Sequence, residues 1–242
     1  MEIKQISFLV FFILILGLFS FTVNRLMGFF KLTKSGYPID KIPERINITL
    51  KVAFGQTKIL QRPIIGLIHA LVWWGFIVIT IGTAEMVIDG LLGTERVLKC
   101  LGLVYKVIMG SGDIFAMIII ISCSIFLFRR HILQVKRFSG VEMKDKKGWK
   151  KYDASIALSM IFFLMLSLLG MNLGYVKLYP DENYFPISQL FLSIISNDQA
   201  HFFHELNWWI HIALVFIFLN ILPYSKHFHV IMSVPNVFLS RL

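Results

Sequence analysis

The sequence predicts an all-α membrane protein, a bundle of five transmembrane helices with the N-terminus outside and the C-terminus in the cytoplasm. Three observations lead there. The 242 residues are 57% hydrophobic and include 23 phenylalanines, and the mean hydropathy of +0.73 lies far above that of a soluble domain. Apolar runs long enough to cross a hydrocarbon core of ~30 Å, about 20 helical residues each, occur five times, at roughly 6–24, 64–88, 103–128, 154–173 and 206–224. Sixteen of the 24 Lys and Arg fall in two connecting segments, 31–62 and 129–152, and cationic loops stay on the cytoplasmic side.

Each element has its own justification. The cations near run 6–24 (Arg25, Lys31, Lys34) follow it and no small-x-small site ends it, so it reads as a retained helix and not a signal peptide. Segment 31–62 has turn signals at Gly36-Tyr37-Pro38 and Pro43, then a mixed apolar and basic stretch, 45–62, suited to lying along the membrane surface. Pro63 opens the second span. The connection after that span carries only Arg96 and Lys99, and the connection between the fourth and fifth spans carries Lys177, so both are expected outside. The latter contains FPISQLFLSII, too short to span and expected as an interfacial helix. Trp208-Trp209, an interfacial pair, marks the outer end of the fifth span.

No internal repeat or low-complexity linker divides the chain, so residues 1–242 read as one membrane domain. The net charge of +10 is accounted for by the basic loops and calls for no nucleic-acid partner. Cys100 and Cys123 are too few and too far apart for an iron–sulfur or zinc site. Any cluster chemistry must come from another polypeptide.

The chemistry is expected in the histidines, at 69, 131, 201, 204, 211, 227 and 229. His211 and His229 are 18 residues apart, about five turns, so a helix continuing past Pro223 would project both imidazoles from one side. His211 would then lie near the outer surface and His229 near the cytoplasmic one. His69 follows Pro63 by six residues on a helix running the other way, so it is shallow on the cytoplasmic side. His69 and His229 would therefore meet at similar depth from antiparallel helices, as two axial ligands of one b haem must. Pairing His69 with His211 would require closing a vertical gap of roughly 13 Å. The face of His69 includes Phe76, Thr80 and Thr83, and glycines 66, 75 and 82 are expected to give a macrocycle room. His131, beside Arg129-Arg130, reads as a loop histidine.

The segment HIALVFIFLNILPYSKHFHVIMSVPNVFLSRL resembles the last helix of the gamma subunit of respiratory nitrate reductase. It is equally similar to the membrane domain of heterodisulfide-reductase-type iron–sulfur oxidoreductases. The shared pattern is a histidine, an apolar run, Pro, an aromatic, Ser, a basic residue, a second histidine 18 after the first, and Val-Pro. Stretch 52–95 looks closest to family members fused to a cytoplasmic iron–sulfur module. Such a module would be a separate subunit or lie beyond Leu242. The resemblance implies haem ligands in two pairs: His69 with His229 on the cytoplasmic side, and His211 with a partner ten residues after His69, where this chain has Ile79. One haem b is thus the first expectation and two the alternative, with His201 or His204 as substitute partners for His211. His204 precedes His211 by about two turns and so shares its face, a poor geometry for the opposite side of one iron.

The resemblance also implies a quinone or menaquinone as substrate. Candidates at the outer end are Glu85, Tyr105, Lys106 and Asp113, with Asp89 nearby; Asp113 lies in the apolar layer, where Lys106, seven residues earlier, would partly neutralise it. The leading expectation is a multi-pass b-type cytochrome subunit of the cell inner membrane, passing electrons between the quinone pool and a cytoplasmic iron–sulfur or other redox partner. The alternatives are a haem-free anchor or assembly subunit for a soluble enzyme, and a small transporter, against which the lack of a repeat argues.

Overall fold

The computed structural model describes residues 3–32, 36, 39–133 and 152–242. Residues 37–38 of the expected turn and most of basic segment 129–152 therefore lie outside the described residues. The described chain is helical throughout, without strands, and five helices are long and apolar enough to span a membrane. These are α1 (Ile3–Phe30), α4 (Pro63–Leu92), α5 (Leu103–His131), α6 (Asp153–Leu178) and α8 (Asn197–Ile221), the last prolonged by a 3-10 turn at Leu222–Tyr224. Between α1 and α4 lie α2 (Ile42–Thr49), a π turn (Leu50–Phe54) and α3 (Thr57–Leu60). The connection from α6 to α8 holds α7 (Pro186–Gln189) and a 3-10 turn (Leu192–Ile194), so the expected interfacial helix is only one short turn at each place.

The ends of the spans follow from local chemistry. α4 stops at Leu92 because Gly93 adopts φ +70° and returns its N–H to the Asp89 carbonyl at 2.8 Å, a left-handed cap open to glycine. α8 starts nine residues before the apolar run does. Ser196 and Gln199 form a reciprocal capping box there, satisfying N-terminal donors ahead of the first hydrophobic turn.

At the other end, the single helix expected to run past Pro223 does not form. Proline has no N–H to give and its ring crowds the carbonyl four residues back, so α8 ends at Ile221. Two 3-10 turns, Leu222–Tyr224 and Lys226–Phe228, follow on either side of extended Ser225, and α9 (His229–Phe238) begins at the histidine itself. The 18-residue spacing of His211 and His229 is therefore not five turns of one helix.

α6 and α8 make the closest pair, with α5 bridging α6 to α4 and α1 lying across α4 and α8. Gly170 and Gly174 set the α6–α8 distance. A Cβ on Gly174 would stand 2.8 Å from the backbone nitrogen of His204, and one on Gly170 would stand 2.5 Å from Asn207 Oδ1. This is small-xxx-small packing, in which missing side chains let backbones approach. Gly174→Ala meets main-chain atoms that cannot rotate away, so the helices must part; we expect a loss of about 1–3 kcal/mol, the usual cost of overpacking, read as an earlier thermal transition in detergent.

The glycines expected to face a macrocycle are occupied by protein. Gly66 abuts the Ile59 carbonyl of α3 and Gly75 abuts Phe115 and Ile119 of α5, leaving only Gly82 against more distant atoms, those of Met109.

Candidate functional site

Two clusters of histidine or buried polar side chains stand out, one at each end of the bundle. At the end where α4 begins, His69 on its second turn faces His229 at the first residue of α9. Their ring centroids are 6.2 Å apart with planes inclined by 35°. His229 Nδ1 lies 2.8 Å from the Lys226 carbonyl, which can only accept, so a neutral ring carries its proton on Nδ1 and its lone pair on Nε2. His69 Nδ1 is buried with no hydrogen-bond partner. Trp73, one turn further along α4, stacks on Phe76 and lies against Phe54.

The chain fixes α9 from two sides. Arg45, buried on α2, donates to the carbonyls of Phe238 (2.9 Å) and Ser240 (2.7 Å) and to the carbonyl and side chain of Asp40. Its guanidinium holds the exposed Asp40 carboxyl below the usual carboxylate range. Asp153, buried in the first turn of α6, accepts the Lys226 N–H at 2.9 Å. The Lys226 carbonyl in turn receives His229 Nδ1–H. Asp153 thus orients the His229 ring through one residue. Neighbouring His227 stands 5.8 Å from the His229 ring, and burial, then the repulsion of His229, hold its pKa down to about 4.

His211 lies deep in the bundle, 1% exposed. Its Nδ1 faces the Leu164 carbonyl at 2.9 Å and the Ser167 hydroxyl at 3.1 Å, while Nε2 is buried without a partner. Ile79 is packed in the apolar core with Ala116, Ile119, Leu164 and Leu169. His201 is exposed, whereas His204 is buried. His131 Nε2 pairs with the Ser155 hydroxyl at 3.0 Å. Among the described residues no three His, Cys, Asp or Glu side chains gather to hold a bare metal ion.

At the opposite end a buried polar network joins four helices. Glu85 accepts from the Leu98 N–H (2.9 Å) and the Tyr105 hydroxyl (3.2 Å). Arg96 reaches Tyr105 (3.5 Å) and Asn172 (3.2 Å), with its guanidinium over the rings of Tyr175 and Phe185. Asn172 donates to Asp113, which is fully buried and also accepts from the Ile187 N–H, the Ser188 N–H and the Ser188 hydroxyl. Lys106 does not neutralise Asp113. It is exposed, with its ammonium 6.0 Å from the Tyr184 ring, and Asp113 is satisfied by amides and a hydroxyl instead.

The structure therefore brings Glu85, Tyr105 and Asp113 into one network and leaves Lys106 outside. Arg96, Asn172 and Ser188, its other members, carried no sequence signal beyond their polarity next to apolar runs. Beside the network a cavity of about 220 Å³ opens between the helices, bordered by Glu85, Asp113 and His204.

The chain is similar to two oxidoreductases. It is 30% identical over 230 residues to the probable iron-sulfur-binding oxidoreductase FadF of Bacillus subtilis (strain 168), a match covering 93% of this chain and 31% of that protein. It is 23% identical over 211 residues to the EtfAB:quinone oxidoreductase of Syntrophomonas wolfei subsp. wolfei (strain DSM 2245B / Goettingen), covering 81% of this chain and 28% of that protein. The chain spans about a third of the length of these relatives. No protein-family model matches it, and no solved structure does. Both relatives are redox proteins, as the terminal motif implies; neither is named as a nitrate reductase subunit.

Proposed function

We propose that this chain is a membrane b-type cytochrome subunit that moves electrons between the quinone pool and an iron–sulfur partner. One observation carries the haem part of the reading, the His69–His229 pair. A metal–imidazole bond is about 2 Å and the ring adds about 1 Å, so two imidazoles sharing one ion from opposite sides have centroids about 6 Å apart. The observed separation is 6.2 Å. His69 and His229 would be the two protein residues to hold a haem iron here, the porphyrin supplying the remaining donors.

The donor set suits such an ion. His229 offers Nε2 with its tautomer fixed by a backbone carbonyl, the usual second-shell arrangement of a metal-ligating histidine. When bound, the haem would supply a one-electron couple whose potential depends on its axial ligands and their surroundings. The chain's own residues would position the two histidines, His229 through the Lys226 carbonyl and Asp153.

The two relatives support the remaining parts, since one is named for iron–sulfur binding and the other for a quinone. With only Cys100 and Cys123 this chain cannot bind a four-thiolate cluster. We assign iron–sulfur binding to a partner or to sequence outside these residues. The basic segments argue that the His69 end faces the cytoplasm, with the N-terminus outside and the chain in the inner membrane. The quinone is then assigned to the outer end, near Glu85, Tyr105 and Asp113, with Lys106 at the periphery. One haem is favoured over two, because residue 79 is an isoleucine packed in the core.

A reduced-minus-oxidised spectrum of the purified chain tests the reading, with a pyridine haemochrome assay for stoichiometry. A b-type alpha band at about one haem per chain is expected; its absence would leave a haem-free anchor as the better description. A positioning effect should accompany it. Asp153→Ala leaves the Lys226 N–H without its acceptor, a defect of about 1–3 kcal/mol, and frees the carbonyl that orients His229. We expect that variant to retain less haem through purification and to shift its midpoint potential.

A further inference from the structure

The cavity beside Glu85 is lined in part by Ile79 and Gly82 and in part by polar residues, the exposed Glu95 among them. Most ionisable groups on its wall are already committed. Glu85 and Asp113 accept the bonds described above, and Asp89 accepts from the Arg96 and Val97 N–H groups and from Thr94. His204 differs. Its Nδ1 lies 2.9 Å from the Met171 carbonyl, so that nitrogen carries the proton and a neutral ring keeps its lone pair on Nε2. Nε2 stands 3.9 Å from Glu95 Oε1, too far for a hydrogen bond and near enough for an ion pair once the ring is charged. The Glu95 side chain is 54% exposed, and its other oxygen meets the Tyr179 hydroxyl at 3.5 Å. The ring itself is fixed, with its backbone pressed on Gly174 and Tyr175 alongside.

Resting on the quinone reading, we propose that a quinone headgroup binds in this cavity and exchanges its protons through His204 Nε2, with Glu95 as the relay to water. When a hydroquinone is oxidised, one O–H bond breaks as one electron leaves for the iron–sulfur partner's redox chain. The proton forms an Nε2–H bond on His204, and Nδ1–H stays on the Met171 carbonyl. Imidazolium then faces the Glu95 carboxylate and hands the proton over, and water removes it from that exposed group. The second O–H and second electron follow the same course once the ring is neutral again, and quinone reduction is the reverse. The charged groups around the ring are Glu95 and Arg96 from the loop after α4, and Glu205 on its own helix, which pairs with Lys4 of α1 at 2.6 Å.

Two readouts test this in membranes containing the full chain: quenching of Trp emission by menadione, because Trp208 borders the cavity, and the rate at which electrons from menadiol bring up the reduced alpha band of the proposed haem, the acceptor when no iron–sulfur partner is present. Positioned acid–base groups contribute about 100-fold or more. His204→Gln should therefore keep menadione quenching within a few-fold of the parent, lower the menadiol rate by about 100-fold and flatten its pH profile. Glu95→Gln, on an exposed loop where folding is not at stake, should lower the rate by about 10-fold, with Glu95→Asp recovering part of it. If both Gln variants match the parent in rate and pH profile while menadione still quenches, the proton route is wrong and the quinone reading stands. A parent neither quenched by menadione nor reduced by menadiol overturns both.

Discussion

His69→Ala and His229→Ala are each expected to abolish the b-type alpha band, taking haem content from about one per chain to nearly none. The effect should be that large because a bis-imidazole site has no spare protein ligand. With either ring gone, one of the two residues that would hold the haem is missing. His227 lies 5.8 Å from the His229 ring and two residues from it in the chain, and is not expected to replace either ring. His211→Ala is the informative companion. If one haem is bound, its content should be unchanged, and if two are bound it should fall by half. Chains of either single variant that keep a parental spectrum would remove the histidine pair from consideration.

Asp113→Ala carries the second large effect, on stability. The carboxylate is wholly buried and accepts from two main-chain N–H groups of α7, from Ser188 Oγ at 2.6 Å and from Asn172. Alanine leaves all four donors facing a void. Each abandoned buried donor costs about 1–3 kcal/mol, and breaking a buried network by removing its charged member costs roughly 3–5 kcal/mol. A fall of about 10 °C in the thermal midpoint in detergent follows from the usual scaling for a chain of this size. Asp113→Asn should be milder, since Oδ1 can still accept while Nδ2 meets donors it cannot satisfy. If Asp113→Ala melts with the parent, then the carboxylate does not fasten α7 to α5 and a purely chemical role becomes the better account of its burial.

Both predictions involve residues whose importance was visible in the sequence, but for different reasons than their contacts reveal. Asp113 stood out as an ionisable group in an apolar run, and Lys106 looked like its counterion by spacing alone. Helical spacing gives an angle around one axis; it does not say which neighbours cover that face. α7 covers the face of Asp113, and the amides at its start satisfy the charge that a lysine was expected to meet. His69 and His229 were paired by depth, which depends only on the number of residues from each membrane boundary. Despite the break at Pro223, α9 brings the His229 ring within 6.2 Å of that of His69. The route by which it does so, through Ser225, Asp153 and Arg45, had no periodic signature.

His204 was weighed only as a poor haem ligand, on the ground that it shares a face with His211. Its environment depends on Gly174 admitting α8 close enough for Nδ1 to reach the Met171 carbonyl, a distance between helices distant in sequence.

The sequence by itself determined the all-helical membrane class and the five spans, because crossing hydrocarbon requires long runs of apolar side chains and a helix to satisfy every backbone group, and both are local properties. It also singled out the histidines as candidate site residues, an expectation that rests on residue type and spacing alone. Only the tertiary structure decided which polar groups meet: the 6.2 Å approach of His69 to His229, the amides around Asp113, and the open nitrogen of His204 beside Glu95. Those partnerships arise where helices far apart in sequence touch, and hydropathy, which averages along one segment at a time, carries no information about contacts between segments.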